Sequence, residues 1–275
     1  MKISVLFSTY NSPKWLEKVL WGFHYQTDNN FEIVVADDGS GDATREVIER
    51  FKAASSRPLL HVWQEDEGFQ KCRILNKAIV AATGDYIVMT DGDCVPRNDF
   101  IAAHRAAAEP GYFLSGGYFK LPMSTSEAIT QQNIANGECF SREWLVANGV
   151  KPSIKFMKLT RSPFKAKLFN NLTRTKRSWN GHNASCWKKD ALRVNGFDER
   201  MKYGGLDCEF GGRLLNAGIQ AKQIRYSAIC VHLDHARGYV NDEDWKRNRV
   251  IRKTSIREKL IETPAGIKQS VSTSL

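Results

Sequence analysis

The stretch YIVMTDGDCVP, residues 86–96, runs an apolar segment straight into two aspartates separated by one glycine. Its first five residues have the composition of a buried strand, and carboxylates crowded at the end of such a strand are costly unless something cationic sits between them. Working outward, the preceding residues alternate strand and helix signals. An apolar run over 3–8 predicts a first strand, after which Ser12-Pro13 supplies an N-cap and an N1 proline for a helix to about residue 26. FEIVVA (31–36) predicts a second strand, ending in Asp37-Asp38-Gly39-Ser40, and Asp42 can cap a helix reaching about residue 54. A third strand over 59–64, a third helix over 70–82 and a fourth strand over 86–90 complete the pattern. Such alternation implies an α/β fold with parallel strands joined by right-handed crossovers, and ligands bind beyond the carboxyl ends of those strands.

Asp37-Asp38 and Asp91-Gly92-Asp93 therefore fall on one rim if their strands are neighbours or nearly so. Four unpaired carboxylates together repel. A divalent ion relieves that repulsion, and oxygen ligands suit Mg²⁺ or Mn²⁺. Gly92 lets the backbone approach closely whatever that ion carries. The competing reading is an aspartate-rich turn that satisfies its own amides. Neither a GxGxxG nor a GxxxxGK[ST] loop follows the first strand, which reads STYNSP, so a dinucleotide fold and a P-loop are unsupported.

Composition narrows the class. The 275 residues suit one large domain or a domain with an appendage, and 42% hydrophobic residues supply a core. A formal charge of +10 points to a polyanionic partner: nucleic acid, an anionic membrane face or a phosphate-bearing substrate. Six cysteines without a CxxC spacing read as free thiols in a reducing compartment. No apolar run approaches the ~20 residues of a membrane span, and ISVLF reads as a strand rather than a signal peptide. The sequence thus predicts a soluble, cytoplasmic chain.

Taken in order, STYN (8–11), ADDGS (36–40), GFQKCRILN (68–76) and DGD (91–93) resemble the family 2 inverting glycosyltransferases of the GT-A fold. NGFDERMKYGGLDCEFGGRL (195–214) and CVHLDHARGY (230–239) are similar to the C-terminal part of β-1,4-galactosyltransferases and bacterial chondroitin-type polymerases. The resemblance implies a Rossmann-like nucleotide-binding sheet with helices on both faces plus an acceptor-binding C-terminal part. On it, residues 1–240 form one domain, with a nucleotide-binding half (1–95), an acceptor-binding half (96–240) and a basic amphipathic tail (241–275). It also implies a DxD motif and metal-dependent transfer, with inversion, of a hexosyl or N-acetylhexosaminyl group from a UDP-sugar to a carbohydrate or glycolipid acceptor. The setting would be cell-surface polysaccharide or lipopolysaccharide synthesis at the inner face of the plasma membrane. A single donor and linkage is expected, because the chain is too short for two transferase modules.

Carried over residue by residue, the resemblance assigns Asp38 to the uridine part of the donor, Arg73 to the nucleotide and Asn76 to positioning its helix. Thr9 and Tyr10 match the segment lining the base pocket. Asp93 becomes the firmest metal ligand, while Asp91 meets the ribose or sugar, or the metal through water. The family's Gly-Gly-Glu-Asp loop corresponds to Gly204-Gly205-Leu206-Asp207 and makes Asp207 the base that takes the acceptor hydroxyl's proton. Leu206 departs from the pattern, and Glu209 is the alternative base; a helix N-cap is the plain alternative role of Asp207. His232 and His235, the only histidines close together, are spaced so that both can reach one metal; backbone-satisfied imidazoles are the plain alternative. Trp179 falls where the family builds part of the acceptor site, or else it is a core tryptophan.

Two segments remain. Between Glu143 and Asp190 eleven lysines and arginines occur with no acidic residue. Basic and apolar residues interleaved in this way suit an anionic lipid surface, single-stranded nucleic acid, a phosphorylated acceptor, or simply a solvated face. The tail WKRNRVIRKTSIREKLIE reads as an amphipathic helix with apolar residues at 251, 256 and 260, packed on the domain or attached to a membrane, and residues beyond about 263 read as frayed. Two other functions compete. A GT-A-like nucleotidyltransferase would want a glycine- and basic-rich loop where STYNSPKW stands, and a non-catalytic binder of polyanions rests on charge alone. No nucleic-acid partner is expected.

Overall fold

The computed structural model describes residues 1–236 and 241–272. Arg237, Gly238 and Tyr239, which the resemblance includes, lie outside the described residues.

Strands β1 (Ile3–Thr9), β2 (Phe31–Asp37), β3 (Leu59–Trp63) and β4 (Tyr86–Asp91) are parallel and adjacent in the order β3-β2-β1-β4. The inner three are buried on both faces, which is why they read as continuous apolar runs rather than as alternation. Helices Pro13–His24, Asp42–Ala54 and Lys71–Ala81 make the crossovers. The expected boundaries hold to within one or two residues, although Gly41 rather than Asp42 occupies the N-cap of the second helix. Chain order reverses between β1 and β4. Ser8 pairs with Asp91 and Thr9 with Asp37, so the carboxyl ends of β2 and β4 flank that of β1.

The chain then adds β5 (Cys94–Pro96), β6 (Tyr112–Ser115), β7 (Gly117–Lys120), β8 (Ala184–Trp187), β9 (Gln220–Gln223) and β10 (Ile229–His232). β8 joins β4 antiparallel and extends the sheet through β6 to β9, giving seven strands. β5, β10 and β7 form a second sheet, in which Cys94 is paired with His232. One apolar cluster fills each side of the main sheet, around Phe7, Phe23 and Val88 and around Leu6, Met89 and Phe210.

The C-terminal residues differ from expectation. Helix Asp242–Arg257 packs with Asn248 and Ser255 buried, whereas Ile256 is exposed and Ile251 is half-buried against the core, so its fully buried positions are polar rather than the expected apolar stripe. Nor is the chain frayed immediately after Thr263. The Thr263 hydroxyl donates to Asp198 at 2.7 Å, and Ile267, in helix Ile267–Ser272, is buried against Gly196. Single polar contacts of this kind carry no periodicity, which is why the sequence pattern passes over them. Among the described residues no helix is long and apolar enough to cross a membrane.

Candidate functional site

A cleft of about 740 Å³ opens at the switch point between β1 and β4. Asp38, Asp91, Asp93 and Asp207 line it, together with Thr9, Tyr10, Gly92, Gly204, Gly205, His232 and His235. Asp37 does not. It turns back beneath the sheet end, bonded to His61 at 2.9 Å and to the Ser40 amide at 2.8 Å, so three carboxylates share the rim near the first strand rather than four.

Asp38 accepts from Gln64 Nε2 at 2.7 Å and from the Gln70 amide at 2.9 Å. Burial pushes its carboxyl up to about 6 despite those donors. Thr9 Oγ1 nearby is buried without a hydrogen-bond partner, a group that a ligand in the cleft could satisfy. Tyr10 is half exposed and donates to Asp66. Gly92 serves its own fold more than any ligand, since a Cβ there would stand 2.7 Å from the Ser8 carbonyl oxygen.

Asp93 meets the two histidines. Its Oδ2 lies 3.0 Å from His235 Nε2 and 3.7 Å from His232 Nε2, and Leu233 N donates to the Asp93 carbonyl at 2.9 Å. Each ring spends Nδ1 on a main-chain carbonyl, Leu233 O at 2.7 Å and Ala236 O at 2.8 Å. A carbonyl only accepts, so each Nδ1 carries the proton, and in a neutral ring Nε2 then turns a lone pair toward the carboxylate. Two lone pairs facing one carboxylate oxygen repel unless a proton or cation stands among them. Nε2 donors oriented by carbonyls behind them, together with one carboxylate, fit a divalent ion of the Mn²⁺ type. Burial alone would raise the Asp93 carboxyl; with protons on Nε2 in place of an ion, the His235 hydrogen bond and the charge of both rings outweigh burial and hold it below the usual range. Cys94 Sγ also lies within 4.8 Å of the Asp93 and His232 donors, but burial pushes its thiol well above its ordinary value, and it donates to Asp93 at 3.4 Å.

Asp207 sits in the first turn of helix Leu206–Asn216, whose N-cap is Gly205 in the left-handed region at φ 82°. Its carboxylate packs on the Gly181 backbone and its Oδ1 is buried without a partner. Burial pushes Asp207 up to about 6, with Lys71 pulling the other way and Asp91 adding to the rise. Glu209, the alternative base, is taken up by its partners: it accepts from Nε and Nη2 of Arg213 at 2.8 Å each and from the Ser255 hydroxyl at 2.8 Å, on the buried face of the same helix and away from the cleft.

Two further expectations are corrected. Arg73 faces outward in an ion pair with Glu67 at 2.5 Å and does not line the cleft. Asn76, one turn on, is buried and bonds both the amide and the carbonyl of Phe197, which positions the helix. Trp179 is 1% exposed, wedged between Phe113 and Phe210 beneath Gly211, so its ring cannot meet a ligand.

Other side chains line the cleft, and they carry weaker signals in the sequence. Lys71, two residues before Arg73, reaches Asp91 at 2.7 Å; desolvation opposes its charge, but Asp91, Asp207 and Asp93 outweigh it and keep the ammonium firmly protonated. It opens its helix at the strand ends, which was the available hint. Trp245, Tyr203 and Tyr118 present aromatic surface to the cleft. Trp245 comes from the C-terminal helix, 38 residues beyond Asp207, and no local pattern points to it.

The chain resembles known proteins along most of its length. The pattern of Glycosyl transferase family 2 matches residues 4–170. Chondroitin synthase of Escherichia coli is 26% identical over 243 residues, an alignment taking in 84% of this chain and 34% of that protein, so the chain spans about a third of that relative's length. Among solved structures, S. aureus TarS 1–349 in complex with UDP-GlcNAc superposes with a TM-score of 0.63 at 16% identity, covering 94% of this chain and 69% of that one. The mannosyltransferase PcManGT from Pyrobaculum calidifontis, in complex with GDP-Man and Mn²⁺, gives 0.57 at 22% identity, covering 86% and 58%. At such identities the structures speak for the fold alone.

Proposed function

The chain belongs to glycosyl transferase family 2, with the GT-A fold, and from that membership we propose that it moves a sugar from a UDP-sugar to a carbohydrate or glycolipid acceptor, with inversion and with Mn²⁺ or Mg²⁺. One observation carries the reading: Asp93, after β4, and His232 and His235, at and after β10, converge within 3.0–3.7 Å in the cleft that also holds Asp38 and Asp207.

In this reading Asp38 and the Thr9–Tyr10 segment hold the nucleoside, and Asp91 with Lys71 borders the donor's ribose, sugar or diphosphate. Asp93, His235 and His232 hold the ion, which when bound supplies Lewis-acid stabilisation of the charge on the departing diphosphate. Asp207 takes the proton of the acceptor hydroxyl while its oxygen attacks the anomeric carbon on the face opposite the diphosphate. A carboxyl with an affinity near 6 is ionised at neutral pH yet basic enough for that task. Gly204, Gly205 and the aromatic rings of Tyr203 and Trp245 receive the acceptor. Synthesis of a cell-surface polysaccharide or lipopolysaccharide, on the cytoplasmic side of the membrane, is the setting proposed.

The test is thermal protection by UDP. UDP is expected to raise the Tm only with Mn²⁺ or Mg²⁺ present, and Asp93→Ala or His235→Ala should each abolish that dependence. Salt-sensitive DNA binding with no response to UDP would overturn the reading. Turnover against a panel of UDP-sugars with the same ions then identifies the donor.

A further inference from the structure

We propose that the segment 151–177 is a membrane-docking face that seats the protein on an anionic phospholipid surface. Helix Pro163–Leu172 buries Ala166 and Asn170 toward the domain. On the opposite side Phe164, Leu168 and Leu172, spaced four residues apart, form a second apolar stripe that is 76%, 42% and 68% exposed. Lys165 and Lys167, both exposed, flank it. The preceding 3-10 turn, Ile154–Leu159, adds a further exposed apolar side chain, Ile154, 81% exposed, next to Lys155. Residues 151–177 hold nine basic side chains and no acidic one.

An exposed apolar ridge edged with lysines is matched by an acyl-chain boundary beneath anionic headgroups. Single-stranded nucleic acid is a poorer fit, because base stacking wants a row of aromatic faces and this ridge is mainly aliphatic. A second copy of the chain would bring the same positive charge against it.

The segment is tied to the domain at both its helix and its 3-10 turn, and the turn touches a residue of the cleft wall. Asn170 bonds Ser227 and the Tyr226 amide at 2.9 Å each. Lys158 donates to the Tyr118 carbonyl at 3.0 Å and lies over the Tyr118 ring, which lines the cleft. Docking here would hold the cleft near a surface from which a lipid-linked acceptor presents its polar head. This deepens the glycolipid-acceptor reading above and rests on it for its purpose.

The test is co-sedimentation of the full chain with vesicles of equal parts phosphatidylglycerol and phosphatidylcholine, against phosphatidylcholine alone. The chain is expected to pellet with the anionic vesicles only, and less so at high salt. Phe164→Ser/Leu168→Ser/Leu172→Ser and Lys165→Glu/Lys167→Glu should each lower partitioning about tenfold or more. Equal binding to neutral vesicles, wild-type binding by either variant, or binding of a single-stranded oligonucleotide in place of vesicles overturns the proposal. UDP protection with Mn²⁺, measured on all three proteins, tests folding and the sugar-transfer reading separately, so failure at the membrane leaves that reading standing.

Discussion

At the scale of single residues the site is a set of charges tuned against one another. Asp207 is buried, and its carboxyl is raised to about 6, so the ionised form required of a base is lost as the pH falls through that value. The kcat is therefore expected to rise up to about pH 6 and level off above it. Asp207→Asn should cut kcat by about 10²–10⁴-fold while leaving UDP affinity intact. A carboxyl whose affinity rises from 3.8 to about 6 on folding loses stability as the pH climbs between those values and carries the full cost above, so the same variant should hold or raise the Tm at pH 7.5. A simultaneous collapse of Tm and activity would instead make Asp207 structural. Lys71 is the charge that restrains the rise. Lys71→Met should move the acidic limb of the kcat profile to higher pH, and an unmoved limb would separate Lys71 from Asp207.

At the scale of elements, the C-terminal helix and the Gly204-Gly205 loop work as one unit. Asn248 Nδ2 donates to the carbonyls of Lys202, Tyr203 and Gly204 at 2.9–3.0 Å, and the Trp245 ring lies where a Gly204 side chain would be, 2.7 Å from an added Cβ. Asn248→Ala leaves buried carbonyls without that donor and is expected to cost about 1–3 kcal/mol in urea denaturation, with a raised acceptor KM. Gly204→Ala meets both the ring and a φ of +106°. Adding Trp245→Ala removes the collision but not the backbone strain, so the double variant should recover stability only in part. Full recovery would show that the ring alone demands glycine.

At the scale of the whole molecule, one buried ion pair ties the second half together. Arg213 bonds Glu209, the Val194 carbonyl and, at 2.8 Å, the Gly196 carbonyl, while Glu209 also takes Ser255 of the C-terminal helix. Arg213→Met strands a buried carboxylate and is expected to destabilise by about 3–5 kcal/mol. The paired change Glu209→Leu/Arg213→Met should recover most of that loss. Because Ser255 shares the carboxylate, Arg213→Met should also speed proteolysis within residues 242–257, in keeping with a C-terminal helix that is part of the domain rather than an appended tail.

The strands and crossovers of residues 1–91 were legible because both-face burial leaves continuous apolar runs and because caps and turns mark their ends. Acidic residues at strand ends pointed to Asp38 and Asp93, and the family resemblance to Asp207, His232 and His235; the structure brings all five to one cleft. Periodicity and residue type are local properties, and the sequence by itself determined those. Which side chain faces the cleft is not local. Arg73 and Lys71 are two positions apart on one helix, yet only Lys71 turns inward; Trp179 sits in the core, and Trp245 arrives from a distant helix whose buried positions, Asn248 and Ser255, are polar and so leave no apolar stripe to read. Those choices belong to the tertiary structure alone, since they depend on what each face packs against.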